Sequence, residues 1–213
     1  MHTALVIVLS VIGGILFLWL VVVRIFRKLR PFPIPWRAAL LLNNALRRRV
    51  QRPGRTLEQM GIGKGMRVLE LGPGSGFFTP EAARCVGDSG RLCCVDVEPE
   101  LVSRLRRKVG RAGLSNVDLI VGDGQHLPLK DGCLDLAYLV GVLGEIPDED
   151  KALRELHRVL GCNGVLSILE MLVDPDYSLS RTIIARAGRA GFELFQKHGN
   201  VFIYNDNFRK KVA

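Results

Sequence analysis

Glu70, Gly72, Gly74 and Gly76 occupy alternate positions in the stretch Val-Leu-Glu-Leu-Gly-Pro-Gly-Ser-Gly-Phe-Phe-Thr, residues 68–79. Glycines this close together let a backbone turn sharply and admit a ligand where a Cβ would stand in its way. The apolar run over 66–71 has strand length and a helical pattern fills 77–86, so the glycines fall between a strand and a helix start. Free N–H groups at such a start offer donors to polar or anionic atoms. Two aspartates follow later apolar runs. Asp96 comes after 91–95, about 20 residues beyond the glycines, where a carboxylate can accept two hydrogen bonds from ribose hydroxyls. Glu98 is a second candidate for that role, or a first-turn acid answering a helix dipole. Asp123 comes after 117–121.

Spacing decides which ligand the turn suits. A dinucleotide fingerprint needs a third glycine in the sixth place, where Phe77 or Thr79 stands, depending on the register. A triphosphate loop needs Gly-Lys-Ser/Thr at its end, which is missing. The remaining pattern, Glu-x-Gly-x-Gly-x-Gly, resembles the first motif of class I S-adenosylmethionine-dependent methyltransferases. Three further motifs of that family are matched in order over about residues 57–208: Asp96, the segment Val-Gly-Asp-Gly-Gln-His-Leu-Pro-Leu-Lys-Asp at 121–131, and Leu-Arg-Glu-Leu-His-Arg-Val-Leu at 153–160. Small-molecule and quinone-type members are the ones it looks like.

The resemblance implies S-adenosylmethionine as cofactor, with Glu70, Gly72, Gly74, Gly76, Asp96, Asp123 and Gly124 around it. Asp123 would accept the adenine amino group and the Gly124 N–H would meet the ring. The family usually has alanine at 124, a cysteine at Pro73, and Lys-Pro-Gly-Gly where this chain has Gly161-Cys162-Asn163-Gly164. Glu70 has two readings, a brace for the glycine turn or a contact for the methionine end. Asp135 matches as a fold residue.

Methyl transfer from a sulfonium is an in-line displacement on an activated carbon, so positioning and exclusion of water dominate, and a base is needed only where the acceptor loses a proton. No catalytic residue is fixed by the sequence. His126 is a candidate base or a solvent-facing loop histidine. Glu145 lies after the fourth strand, where acceptors usually bind, and would orient an acceptor or cap Pro147-Asp148. His157 has packing spacing with Leu153 and Leu160, while His198 and Tyr204 belong to a closing hairpin. Five cysteines without ligand spacing read as buried reduced thiols, with no metal site. After the fourth strand, the apolar residues 139–144 replace the Asn/Asp-Pro-Pro-aromatic motif of nucleic-acid base methylation. A small or lipid-like acceptor fits, and nucleic acid does not.

Elements that position these residues follow from periodicity in the 213-residue chain. Strands at 66–71, 91–95, 117–121, 134–140 and 165–170 alternate with helices at 77–86, after Pro99, at 149–160 capped by Asp148, and from Ser178 or Ser180 to Gly191. A hairpin of 192–197 and 201–204 closes the chain. The expectation is an α/β fold with a doubly wound, mostly parallel seven-stranded sheet and a C-terminal antiparallel hairpin. Pro53-Gly54 reads as the boundary of a domain over 56–213, with Thr56 capping a short helix that ends near Gly61.

Upstream, residues 4–23 are uncharged and apolar over about the length of a bilayer-crossing helix. The net charge is +9, and ten of the 30 basic residues lie between 24 and 55, before the first acid at Glu58. The rest of the chain is therefore nearly neutral. We expect a transmembrane helix and basic collar over 1–30, then a Pro-rich, amphipathic linker helix over 31–55 whose 36–50 part lies on the bilayer or on the domain. The collar places a single-pass protein's catalytic domain in the cytoplasm. Two rival readings remain, a membrane scaffold that keeps the fold without the chemistry and, against the glycine spacing, a nicotinamide oxidoreductase.

Overall fold

In the computed structural model the central strand β1 (Arg67–Leu71) is buried from its second residue onward, as a strand covered on both faces must be. The structure describes residues 51–211 together with Val6, Ile7, Ser10, Val11, Gly13, Gly14, Leu18, Val21 and Val22. Before β1 comes α1 (Pro53–Met60), closed by Gly61 in the left-handed region. After it come α2 (Thr79–Val86), β2 (Arg91–Asp96), α3 (Pro99–Arg111), β3 (Val117–Val121) and β4 (Leu134–Val140). A short 3-10 turn (Leu143–Glu145) leads to α4 (Glu149–Val159), β5 (Leu160–Met171), α5 (Ser180–Arg189), β6 (Phe192–Gly199) and β7 (Ile203–Lys210).

The seven strands lie in the order β3-β2-β1-β4-β5-β7-β6. From β3 to β5 every pairing is parallel, while β7 runs antiparallel to both β5 and β6. The chain works outward from β1 to β3, then restarts at β4 on the other side. Strand order therefore reverses between β1 and β4, where open α/β sheets bind ligands beyond their carboxyl ends. Alternate residues feed two cores. Val68, Leu92 and Cys94 meet α1, α2 and α3, while Leu69, Cys93 and Val95 meet α4 and α5. Cys93 and Cys94 thus point to opposite faces, as adjacent strand residues do.

Several boundaries differ from expectation. Thr56 is not a cap. It lies inside α1 and its hydroxyl donates to the Gln51 carbonyl. Strand β5 starts at Leu160 because both flanks of the expected turn pair with β4, Leu160 with Leu134 and Val165 with Leu136, and residues 161–164 bulge between them. Strand β7 continues to Lys210 because β5 supplies a partner along its length. In β6 a bulge falls between Leu194 and Gln196.

Among the described residues no helix is long and apolar enough to cross a membrane. Of the crossing helix expected over 4–23, the nine described positions are helical and all but Val21 are exposed. The rest of that segment, its collar and the expected 36–50 helix lie outside the described residues.

Candidate active site

Three glycines at the carboxyl end of β1 all take left-handed backbone, Gly72 at φ 69°, Gly74 at φ 54° and Gly76 at φ 69°, a region that L side chains rarely enter. They differ in what surrounds them. A Cβ on Gly72 would stand 2.6 Å from Val142 Cγ2, and one on Gly76 would stand 2.3 Å from Leu105 Cδ1. A Cβ on Gly74 would meet nothing within 4 Å. The outer two glycines are thus required by packing, whereas the middle one faces open space.

Asp96 is held against this turn. Its Oδ2 accepts the Gly74 N–H at 3.0 Å and its Oδ1 accepts the Glu98 N–H at 3.0 Å. Each oxygen keeps a further lone pair for a hydroxyl donor. Burial pushes the carboxyl pKa up, and the two backbone donors pull against that rise. Val97, the next residue, is half exposed at the same end of the sheet and offers an apolar face to a planar ring. Glu98 is the N-cap of α3 without a side-chain capping bond.

Glu70 faces the other way, into the core beneath α2. It accepts the Thr79 hydroxyl at 2.6 Å and lies 3.5 Å from Cys94 Sγ. Burial pushes its pKa up to about 7, with the Thr79 bond opposing. Of its two readings the bracing one matches this geometry, since Thr79 opens the helix after the turn. The buried Tyr138 hydroxyl, on the neighbouring strand, has no hydrogen-bond partner of its own. From outside, Lys108 on α3 donates to the carbonyls of Ser75 and Gly76, a clamp on the turn that sequence reading missed. Nothing but its place on the basic last turn of a helical pattern marked it.

Asp123 lies just past β3, whose Val121 pairs with Asp96. Its Oδ1 accepts the Gln125 N–H at 2.8 Å, and the Gln125 amide reaches both oxygens. Burial is the largest single influence on the carboxyl and raises it, but these bonds and the nearby His126 together hold it below the usual range. Gly124 packs so that a Cβ would press on Leu71 Cδ2 at 3.1 Å and Ile146 Cδ1 at 3.3 Å, a reason for glycine where alanine is usual. The loop is stapled from below by Arg158, which donates to the Leu127 and Leu129 carbonyls while paired with Asp131 and Glu155. That contact explains the arginine in the 153–160 segment.

The two candidate bases are not brought together. His126 is largely exposed, 3.8 Å from Asp123 and in contact with Lys151. Glu145 ends the 3-10 turn after β4, and Asp148 rather than Glu145 caps α4 by accepting the Lys151 N–H. Near Glu145 stands Glu170, at the carboxyl end of β5 and 2% exposed. Burial first, then Asp174, Asp176 and Glu145, push the Glu170 carboxyl up. The rule that found Asp96 and Asp123, an acid ending a parallel strand, would also have found Glu170. His157 packs edge-on against Phe192, and Tyr204 is buried with its hydroxyl on the Ser178 carbonyl. Among the described residues no group of side chains could hold a metal ion.

The sheet is parallel from β3 to β5, its order reverses at a glycine turn, and an aspartate stands at the end of each of the next two strands. Residues 69–168 match the family described as Methyltransferase domain. The chain is 32% identical over 116 residues to the ubiquinone/menaquinone biosynthesis C-methyltransferase UbiE of Haemophilus ducreyi, and 34% identical over 124 residues to that of Pasteurella multocida. The first match covers 54% of this chain and 45% of the relative, the second 56% and 46%, so the chain spans about half the length of these relatives. The fold resembles that of a SAM dependent methyltransferase from Aquifex aeolicus, with TM-score 0.79 and 22% identity over 84% of this chain and 100% of the other. It is also shared with the [4+2]-cyclase SpnF, at TM-score 0.68 and 19% identity over 76% of this chain and 81% of that one, so fold alone does not set the chemistry.

Proposed function

We propose that this chain transfers the methyl group of S-adenosylmethionine to a ring carbon of a small, membrane-soluble aromatic acceptor of the quinol type, while attached to a bilayer by residues 1–30. The observation that carries the cofactor half is the bond from the Gly74 N–H to Asp96 at the point of strand reversal, because it ties the one of the three turn glycines that faces open space to a carboxylate with lone pairs to spare. In this reading Asp96 accepts the ribose hydroxyls, Gly72 to Gly76 let the backbone approach the amino-acid end, Asp123 accepts the adenine amino group and the Gly124 N–H meets the ring. Glu70 acts behind the turn as its brace.

The bound cofactor supplies a methyl group on a positively charged sulfur. The chain's part is to hold the acceptor in line with it and keep water out. One sulfur–carbon bond breaks as a carbon–carbon bond forms, and the ring proton then leaves to a base. We assign that proton to Glu145, whose place beyond β4 beside Glu170 suits an acceptor-side role, and leave His126 in solvent. The acceptor class is supported by the quinone C-methylation for which the relatives are named and by the apolar 139–144 stretch. Attachment is supported by the uncharged 4–23 run and its basic collar, which also puts the domain on the cytoplasmic side.

The test is a calorimetric titration of the full chain in detergent with S-adenosylhomocysteine and, separately, NADH, followed by incubation with methyl-labelled S-adenosylmethionine and a bacterial lipid extract. Binding of the homocysteine product alone, with label entering the extract's aromatic fraction, is the expected result. Binding without transfer to any lipid fraction would overturn the acceptor, and no binding would favour the scaffold.

A further inference from the structure

Val173 is 83% exposed, Phe202 64% and Val201 55%, and they stand together. The Leu172 N–H donates to the Phe202 carbonyl at 2.7 Å, and the Tyr177 hydroxyl donates to the Val201 carbonyl at 2.6 Å. Residues 172–179 and the β6–β7 turn are thereby laced into one ridge. Because Met171 pairs with Ile203, the ridge rises from the carboxyl end of β5, the same end of the sheet as the glycine turn. Three strand spacings separate β7 from β1, roughly 14 Å.

The acids of this ridge turn inward. Asp174 Oδ2 lies 2.6 Å from where a Cβ on Gly141 would be, and Asp176 packs likewise against Gly144, so the exposed side chains of the loop are the apolar Val173 and Leu179. On its flank the ridge is basic. Arg52 and Arg55, both exposed, line a cavity of ≈ 360 Å³ with His198 and Ile203 of the hairpin and a second of ≈ 390 Å³ beside α2, where Arg84 is ion-paired with Glu81. The chain enters the fold here too, since the Gln51 amide donates to Met171 Sδ at 2.6 Å. Immediately upstream lie eight more basic residues and no acid, and beyond them the uncharged run.

An apolar ridge flanked by arginines, at the point where a basic, apolar-headed segment joins the domain, suits a surface that is apolar within and anionic at its face. We propose that the ridge of Val173, Val201 and Phe202, with Arg52 and Arg55, is where the domain docks on an anionic lipid bilayer, which turns the carboxyl edge of the sheet toward the membrane. This deepens the attachment proposed above and rests on it. An acceptor held in the bilayer then reaches the carboxyl ends of β4 and β5 without crossing water.

The test reconstitutes the full chain in vesicles of phosphatidylcholine and phosphatidylglycerol that carry a phospholipid with a photoreactive group near its headgroup, and maps the labelled peptides. Label is expected in residues 172–179 and 200–203 and not around Lys64, which is exposed before β1 at the opposite end of the sheet. The Val173→Asp/Phe202→Asp double variant should lose label from the ridge on the order of fivefold or more, and Lys64→Asp should not. Label at the Lys64 end, label unchanged in the double variant, or ridge peptides cross-linked to a second copy instead of lipid would overturn the proposal. S-adenosylhomocysteine binding by the same proteins in detergent keeps the two readings apart. Wild type that binds it but leaves the ridge unlabelled refutes docking alone, and labelled wild type that does not bind refutes the methyltransferase reading alone.

Discussion

The Asp96 carboxylate and the Gly74 N–H are 3.0 Å apart across two strand ends, so the residue proposed above to take the ribose also fixes the glycine turn. A change at Asp96 therefore acts twice. Asp96→Ala should weaken S-adenosylhomocysteine binding by about 1.5–3 kcal/mol for each lost bond to a charged acceptor, at least tenfold in total, with calorimetry as the measure. Asp96→Asn keeps one acceptor oxygen and should fall between wild type and alanine.

Gly74 and Gly76 make a matched pair for separating binding from folding. Both are left-handed, so alanine at either costs about 1–2 kcal/mol of backbone strain. At Gly76 the methyl also collides with Leu105, adding about 1–3 kcal/mol of overpacking, while at Gly74 it collides with nothing. Thermal melts should therefore drop further for Gly76→Ala, whereas Gly74→Ala should stay folded and lose cofactor affinity. Equal affinity of Gly74→Ala and wild type would mean the ligand does not approach there.

Glu70 predicts a pH dependence of stability. Its folded pKa of about 7 lies above the ordinary carboxylate value of 4.5, so its contribution is fully present below 4.5 and is lost as pH rises through 7. The size is on the order of 3 kcal/mol. Glu70→Gln removes the titration and keeps an acceptor for Thr79. Urea unfolding at pH 5 and pH 8 should show the variant gaining on wild type at the higher pH, and a constant difference between the two proteins would contradict it.

Tyr138 offers a sharper check of the same pocket. Its hydroxyl is buried with no partner, so Tyr138→Phe should be neutral or stabilising by up to about 1 kcal/mol. A loss above 1 kcal/mol in urea would show that the hydroxyl donates to Glu70.

Arg158→Leu frees the loop that carries Asp123. With five hydrogen bonds to Leu127, Leu129 and Asp131 of the loop and to Glu155 removed, about 1–2 kcal/mol of stability should go, allowing for partial exposure of the side chain. The KM for S-adenosylmethionine should rise more than kcat falls, since Arg158 touches the loop and not the reacting atoms.

What could be read in advance was what local chemistry dictates. The glycine spacing, Asp96 and Asp123 at strand ends, Asp148 as a cap and the opposite facings of Cys93 and Cys94 all follow from short-range rules. What could not was set by partners distant in sequence. β7 runs on to Lys210 because β5 is there to pair with it, and β5 bridges the Asn163-Gly164 bulge because β4 pairs with both flanks. Thr56 looked like a cap, but Gln51 was already close enough to take its hydroxyl. Lys108 and Arg158 act across 32 and 31 residues of chain, which periodicity does not register.

The bulge in β6 bears on how copies of this protein meet one another. Among the described residues β6 is an edge of the sheet, and an unguarded edge invites a second sheet to add its own strand. Here the edge kinks between Leu194 and Gln196 and exposes Glu193, Gln196 and Lys197. At the opposite edge, β3 carries the Arg91–Asp118 ion pair across to β2. Both rims are thus guarded by charge or by irregular pairing, which disfavours growth into a continuous intermolecular sheet and protects the chain from edge-to-edge aggregation when crowded.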